Sequence, residues 1–236
     1  MKILSLDSSA LVASVALCED DEILAEYTLN NGNTHSETLL PMVEDVLKNF
    51  SLTAKDIDLF AVSAGPGSFT GVRIGAATLK GLAFASDKPC VEVSTLAAIA
   101  HNLCICEGII CPVMNARRSQ VYMALFRSDG KMLERLMPDT AMSIEELDGL
   151  LCEYKEPVFL CGDGYEITER GLKNTSVRFV PKRMRIQSAA SVGALALDAY
   201  KRGEACSDAQ LGVNYLRPSQ AERERAEKLA KEAKSE

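Results

Sequence analysis

The chain spells one series of elements twice, and that repetition limits the folds open to it. Lys2–Asp7, residues 12–18 and Glu22–Leu29 read as three short β segments, parted by Ser8-Ser9 and the acidic turn Glu19-Asp20-Asp21. Residues 34–49 carry Leu39, Leu40, Val43, Val46 and Leu47 at the spacing of one helical face, with Thr34 and Glu37 placed as a capping box. Residues 59–64 are a continuous apolar strand ending in Gly65-Pro66-Gly67, and residues 70–85 resume helical periodicity through Ile74, Ala77, Leu79 and Leu82. A strand at 90–93 and an Ala-rich helix at 95–103 close the series.

The second half repeats it. Strands at 109–114, 120–127 and 132–137 form a meander, with Ser128-Asp129-Gly130 as a hairpin turn. A helix at 143–154 starts on Ser143 with Glu146 three residues on, Val158–Cys161 is an apolar strand ending at Gly162, and a short helix at 165–173 follows. A strand at 177–180 and a helix at 189–200, capped by Ser188, complete it. The order β-β-β-α-β-α-β-α, met twice, implies two similar α/β lobes, each a mixed sheet whose first three strands are antiparallel neighbours and whose helices cover the faces. That is the duplicated, ribonuclease H-like (ASKHA) architecture of the actin, hexokinase and Hsp70 class, whose ligand site lies between the lobes. The expected divisions are 1–103 and 104–216, with the Lys-, Glu- and Ala-rich residues 217–236 as a frayed or disordered tail.

The net charge of −7 opposes unaided binding to a polyanion, which needs clustered Lys and Arg. The one basic run, Lys182, Arg183 and Arg185 with Arg178 before it, reads as a solvated loop. The start is too short for the apolar stretch of a secretory signal and no run reaches the roughly 20 apolar residues that span a bilayer, so a cytoplasmic protein is expected. Eight cysteines then read as reduced thiols filling the core; Cys104, Cys106 and Cys111 lack the paired spacing of a zinc site, and no metal is expected there.

Two segments bear on chemistry. Residues 64–75, with Gly65, Gly67, Ser68, Gly71 and Gly75, form a Gly-rich loop running into a helix, suited equally to an anion or to a structural turn capped by Ser68 or Thr70. It is no P-loop, because no Gly-Lys-Ser/Thr follows. The helix after it keeps Gly75 and Gly81, each costing up to about 1 kcal/mol against Ala, which points to close approach of another surface, favouring a partner's. Asp7-Ser8-Ser9 stands where actin-like ATPases place a carboxylate and a phosphate-binding turn. The equivalent of Asp7 in the second half is Asn115, followed by Arg117, so the paired carboxylates that would hold Mg²⁺ read as incomplete. Gly162-Asp163-Gly164 is a weak nucleotide signal and more simply a turn.

Residues 65–84, together with His35-Ser36-Glu37, Leu40-Pro41, Asn115-Ala116-Arg117-Arg118 and residues 215–222 (Tyr-Leu-Arg-Pro-Ser-Gln-Ala-Glu), resemble the TsaB (YeaZ) family, and the motifs run through nearly the whole chain. The resemblance implies a two-lobed actin-like fold and a non-catalytic role beside the paralogous catalytic subunit TsaD and the small ATPase TsaE. That assembly transfers threonylcarbamoyl from its adenylate to adenosine 37 of tRNAs reading codons that start with A. In the catalytic paralog two histidines four residues apart bind a metal; here the residue four after His35 is Leu39, so His35 reads as a group at the start of the helix rather than a ligand.

The expected partner face therefore comprises His35, Leu39, Met42, Val43, Val46, Thr70, Arg73, Ile74, Ala77, Thr78, Leu79 and Leu82, serving TsaD in the complex and a homodimer in isolation. A vestigial nucleotide or anion site would comprise Asp7, Ser8, Ser9, Gly65, Gly67, Ser68, Asn115, Arg117, Gly162 and Gly164, with no cofactor. tRNA is expected to be met only indirectly. Two enzyme readings stand beside this one. A metal-independent peptidase would use Ser68 with the distant His101, and a small-molecule kinase of the actin-like class would use Asp7.

Overall fold

The structure, a computed structural model, describes residues 1–117 and 119–217. The expected tail thus lies outside the described residues except for Arg217, as does Arg118. The first sheet holds β1 (Lys2–Asp7), β2 (Ala13–Glu19), β3 (Glu22–Leu29), β4 (Leu59–Gly65) and β5 (Cys90–Ser94), in the order β3-β2-β1-β4-β5. The helices between them are α1 (His35–Asn49) and α2 (Phe69–Ser86), and α3 (Thr95–His101) follows β5. The second sheet holds β6 (Gly108–Asn115), β7 (Gln120–Ser128), β8 (Leu133–Ser143), β9 (Val158–Cys161) and β10 (Val177–Arg178), in the order β10-β9-β6-β7-β8. Its helices are α4 (Ile144–Leu151), α5 (Tyr165–Gly171) and α6 (Ala189–Lys201).

Both sheets have one plan: the first three strands pair antiparallel, and the fourth and fifth add in parallel beside the first. The duplication read from the sequence is therefore present strand for strand. β8 extends through Pro138 to Ser143, past the expected end at 137, because it is an edge strand on which a missing N–H costs no internal ladder bond.

The division at 103/104 separates the sheets but not the helices. α6 packs Ala189, Val192, Ala196 and Leu197 against Ile3, Ala16, Leu59 and Val91 of the first sheet. Conversely, Leu96, Ile99 and Ala100 of α3 join Ile110, Ala124 and Phe126 of the second. Each unit thus lends its last helix to the other's core. After α6 the chain stays with the first lobe: Cys206 exchanges both backbone hydrogen bonds with Cys90 at 2.8 Å, and the Asn214 amide donates to the Ala64 carbonyl at 2.7 Å.

Ser143 and Ser188 cap where the sequence puts them, accepting from the Glu146 and Ser191 amides; of the two candidates for α2 it is Ser68 that accepts from the Gly71 amide, and Ser94, accepting from Ala97, is a further cap. The capping box expected at Thr34 does not form. Its hydroxyl lies 3.1 Å from that of Ser36, and the Glu37 amide donates to the Thr34 carbonyl instead. All eight cysteines are free thiols, and Cys18, Cys90, Cys111 and Cys161 are buried core residues. Among the described residues no helix is long and apolar enough to cross a membrane.

Candidate functional site

The residues expected to line the cleft lie on corresponding turns of the two units, after β1 and β4 in the first and after β6 and β9 in the second. Asp7 ends β1, fully buried, and its carboxylate is taken up by its own lobe: Oδ1 accepts from the Ser9 amide at 2.9 Å and the Ser9 hydroxyl at 2.7 Å, while Oδ2 accepts from Ser63. Burial raises the carboxyl above its ordinary value, against the lowering pull of the Ser63 and Ser9 bonds and of the nearby His35.

The Gly-rich loop lies directly on that turn. The Ser68 amide donates to the Ser9 carbonyl at 2.6 Å, and the Ser8 hydroxyl donates to the Gly71 carbonyl at 2.9 Å. A Cβ on Gly67 or Gly71 would collide with the carbonyl oxygens of Ser9 and Ser8, and one on Gly75 would meet Ser8 Oγ at 2.5 Å. Close packing inside the lobe thus explains these glycines, including Gly75, and the structural reading of the loop fits better than the anion cradle. Gly65, at φ 116°, faces the Asn214 carbonyl of the returning chain, and Gly162, at φ 94°, faces the Val113 carbonyl in the second lobe.

Gly162-Asp163-Gly164 follows β9, the fourth strand of its sheet, as Gly65-Pro66-Gly67 closes β4, the fourth strand of the first, and this turn, which the sequence reads as a simple turn, carries a carboxylate. Asp163 is open to solvent yet crowded by protein. Desolvation lifts its carboxyl to about 6, the Asn115 amide pulls the other way, and the charge of Asp7 raises it further. Asp163 is thus a second carboxyl group within electrostatic reach of Asp7, on a different turn from Asn115. Asn115 turns its Oδ1 to the Arg117 amide at 2.8 Å. Within the second lobe, Gly164 packs on Val113 and Met114 as Gly67 does on Ser9.

His35 opens α1 and lies against the same turn, its Nε2 2.6 Å from the Ala10 carbonyl. That pairing requires Nε2–H, which leaves Nδ1 buried with no partner among the described residues. The ring joins helix start to cleft turn, in keeping with a positioning role. His101 is occupied at the other side of the lobe, with Nδ1 3.4 Å from the Ser191 hydroxyl and its acidity set by desolvation, which lowers the pKa. Ser68 serves as a cap, and no hydrogen bond joins it to a histidine among the described residues.

The outer face of α1 and α2 divides the expected partner residues. Leu39, Met42, Val43, Val46 and Leu79 are buried in the first lobe's core, where no partner reaches them. His35, Ile74, Thr78 and Leu82 are half-buried, and Thr70, Arg73 and Ala77 are exposed. The exposed row continues through Gly81, around which space is open, to Phe84, 78% exposed, with Leu40 on α1 at 45%. Spacing of three or four residues puts Thr70, Arg73, Ala77, Gly81 and Phe84 on one stripe. At its head the Arg73 guanidinium sits 3.8 Å from the Phe69 ring centroid, Phe69 stacks on Tyr215 at 4.6 Å, and Arg73 Nε donates to the Tyr215 hydroxyl at 2.6 Å.

The family model described as "TsaD: tRNA N6-adenosine threonylcarbamoyltransferase" matches residues 22–226. The chain is 35% identical to the tRNA threonylcarbamoyladenosine biosynthesis protein TsaB of Bacillus subtilis, over 69% of this chain and 71% of that one. The chain belongs to the TsaB (YeaZ) family. The Escherichia coli TsaB is 37% identical over 55% of this chain and 56% of its own. The solved structure of YeaZ from Pseudomonas aeruginosa superposes with a TM-score of 0.77 at 28% identity, covering 91% of this chain and 99% of that one. The fold of this TsaB family member is accordingly the duplicated actin-like one.

Proposed function

We propose that this chain is a non-catalytic supporting subunit in the synthesis of N6-threonylcarbamoyladenosine at position 37 of tRNA, holding the catalytic subunit TsaD and working with the ATPase TsaE. The names of its relatives give the process. The observation that carries the role is the contrast between the two sides of α2: Gly71 and Gly75 are consumed in packing on Ser8, while Ala77, Gly81 and Phe84 leave a low, open stripe beside the exposed face of α1. Small residues let a second helix approach closely, so the stripe suits a helical face of a related protein. Without that relative the same stripe pairs two copies of this chain. With a net charge of −7, tRNA is held mainly by the other subunits.

The cleft supports the non-catalytic reading. Asp7 has both carboxylate oxygens engaged by Ser9 and Ser63, and the turn that would cradle phosphate is filled by the Gly-rich loop. Asp163, which feels the charge of Asp7, is what favours one alternative, a small-molecule kinase that binds a divalent cation with the two carboxylates. The fit is poor, because the cation would have to take Asp7 from its serine donors. The peptidase reading lacks a base, since Ser68 caps α2 and His101 pairs with Ser191.

The test is co-purification with TsaD followed by a tRNA modification assay. The proposal expects a stable complex, product only when both are present and none from this chain alone. ATP-dependent turnover by the purified chain, lost in Asp7→Ala, would favour the kinase.

A further inference from the structure

The edge of the second sheet carries a surface that the partner role does not use. β10 is an edge strand, and the chain leaving it places Arg178, Phe179, Lys182 and Arg183 within six residues, all exposed, Phe179 at 77%. Among the described residues none of the three cations has an ion-pair partner. The two nearest carboxylates along the chain are engaged elsewhere: Glu169 accepts from the Tyr165 hydroxyl at 2.8 Å, and Glu166 is shared between Arg170 and Arg185.

This segment is pinned rather than loose. Arg185, expected from the sequence to be solvated with its neighbours, is buried: its guanidinium lies 3.2 Å from the Tyr165 ring centroid, and its Nε donates to the Val180 carbonyl at 2.6 Å. Its own carbonyl accepts from the Gly162 amide at 2.8 Å, and Asn102 Nδ2 donates to the Ile186 carbonyl at 2.8 Å. Val180 is anchored in the second lobe's core. The phenyl ring next to it is thus presented outward on a fixed backbone.

A polar groove of about 420 Å³ adjoins the patch, with Arg178, Lys155, Asn174, Thr175 and Ser176 among its walls. Its one carboxylate, Glu156, is drawn off by Arg127 at 3.1 Å, which leaves Lys155 and Arg178 to set the sign of the groove.

We propose that this surface, from Lys155 through Arg178 and Phe179 to Lys182 and Arg183, is a docking site for unpaired nucleotides of RNA, with Phe179 stacking on a base and the cations meeting phosphates. A fixed, exposed aromatic among unneutralised cations is the arrangement that binds single strands without reading sequence. Its few charges make it an auxiliary contact inside an assembly whose main hold lies elsewhere. The choice of RNA as the polyanion rests on the proposed function, and it amends the expectation that tRNA is met only indirectly.

The test measures binding of fluorescein-labelled single-stranded RNA and of bulk tRNA to the full chain alone, at low and rising salt, with ultraviolet crosslinking to locate the contact. Phe179→Ala is expected to weaken binding by roughly 5- to 100-fold. Lys182→Glu with Arg183→Glu is expected to flatten the dependence of log affinity on log salt by about 1.4 or more. Crosslinks are expected within 177–183. Unchanged affinity and slope in both variants, or crosslinks confined to other segments, overturn the proposal. So does a loss of TsaD capture with RNA affinity intact, which assigns the patch to a protein. Because these measurements use the chain by itself, their failure leaves the modification assay untouched, and failure of that assay leaves these results standing.

Discussion

The Ser8 hydroxyl donates to the Gly71 carbonyl at 2.9 Å, tying the turn after β1 to the first turn of α2. A motif that resembles a phosphate loop is thereby used as a packing joint, and the two faces of α2 acquire separate duties.

Substitutions on those faces should separate. Gly71→Ala drives a methyl into the Ser8 carbonyl and should cost about 1–3 kcal/mol by denaturant titration. Gly81→Arg meets open space and replaces a poor helix former, so stability should hold or rise by about 0.8 kcal/mol. In sedimentation the same variant should lose self-association. Gly75→Arg is uninformative about pairing, since it strikes Ser8 and Val62 within the lobe.

Two carboxylates of the second lobe should give opposite pH slopes. Desolvation would raise Asp148, but bonds from the Lys173, Asn174 and Thr175 amides and the Thr175 side chain overcome it and hold the carboxyl at about 2. A folded pKa below the ordinary 3.8 contributes stability that is full above that value and is lost as pH falls through about 2. Asp148→Asn should therefore cost about 1–2 kcal/mol at pH 7, with the difference closing in acid. Asp163, raised to about 6, behaves the other way: the folded protein holds that proton longer than the unfolded chain, so stability falls as pH rises from 3.8 through about 6 and stays lower above. Asp163→Asn should melt higher than the parent at pH 7 and alike below pH 3.8, as thermal unfolding at the two pH values will show.

The clamp on the returning chain is a third point of test. Tyr215→Ala removes the stack on Phe69 and the bond from Arg73, worth about 1–2 kcal/mol together. Limited proteolysis should then cut within 206–217 while the two sheets stay protected.

Much of this fold was legible because turn residues and apolar periods agree at each step; Glu22–Leu29 and Val158–Cys161 are bounded to the residue. The exchange of α3 and α6 was not, because an Ala-rich helix carries no mark of which sheet it will cover. Leu39, Met42, Val43 and Val46 were read as partner contacts since an apolar helical face looks alike to a core and to a neighbour; burial separates them. Arg185 was hidden for a similar reason, its charge suggesting solvent although Tyr165 and Val180 hold it inside. Asp163 carried a usable signal: the second unit's Gly-x-Gly turn follows its fourth strand as Gly65-Pro66-Gly67 follows that of the first, which marks it as the counterpart of that turn.

The central claim is most directly tested with Ala77→Arg, an exposed change on the stripe far from Asp7 in sequence. Threonylcarbamoylation of tRNA would be measured in a reaction reconstituted from TsaD, TsaE and this chain, beside the melting temperature of the variant. The account predicts an unchanged melting temperature with loss of both TsaD binding and product. Full product with the variant, or product from this chain without TsaD, would contradict it.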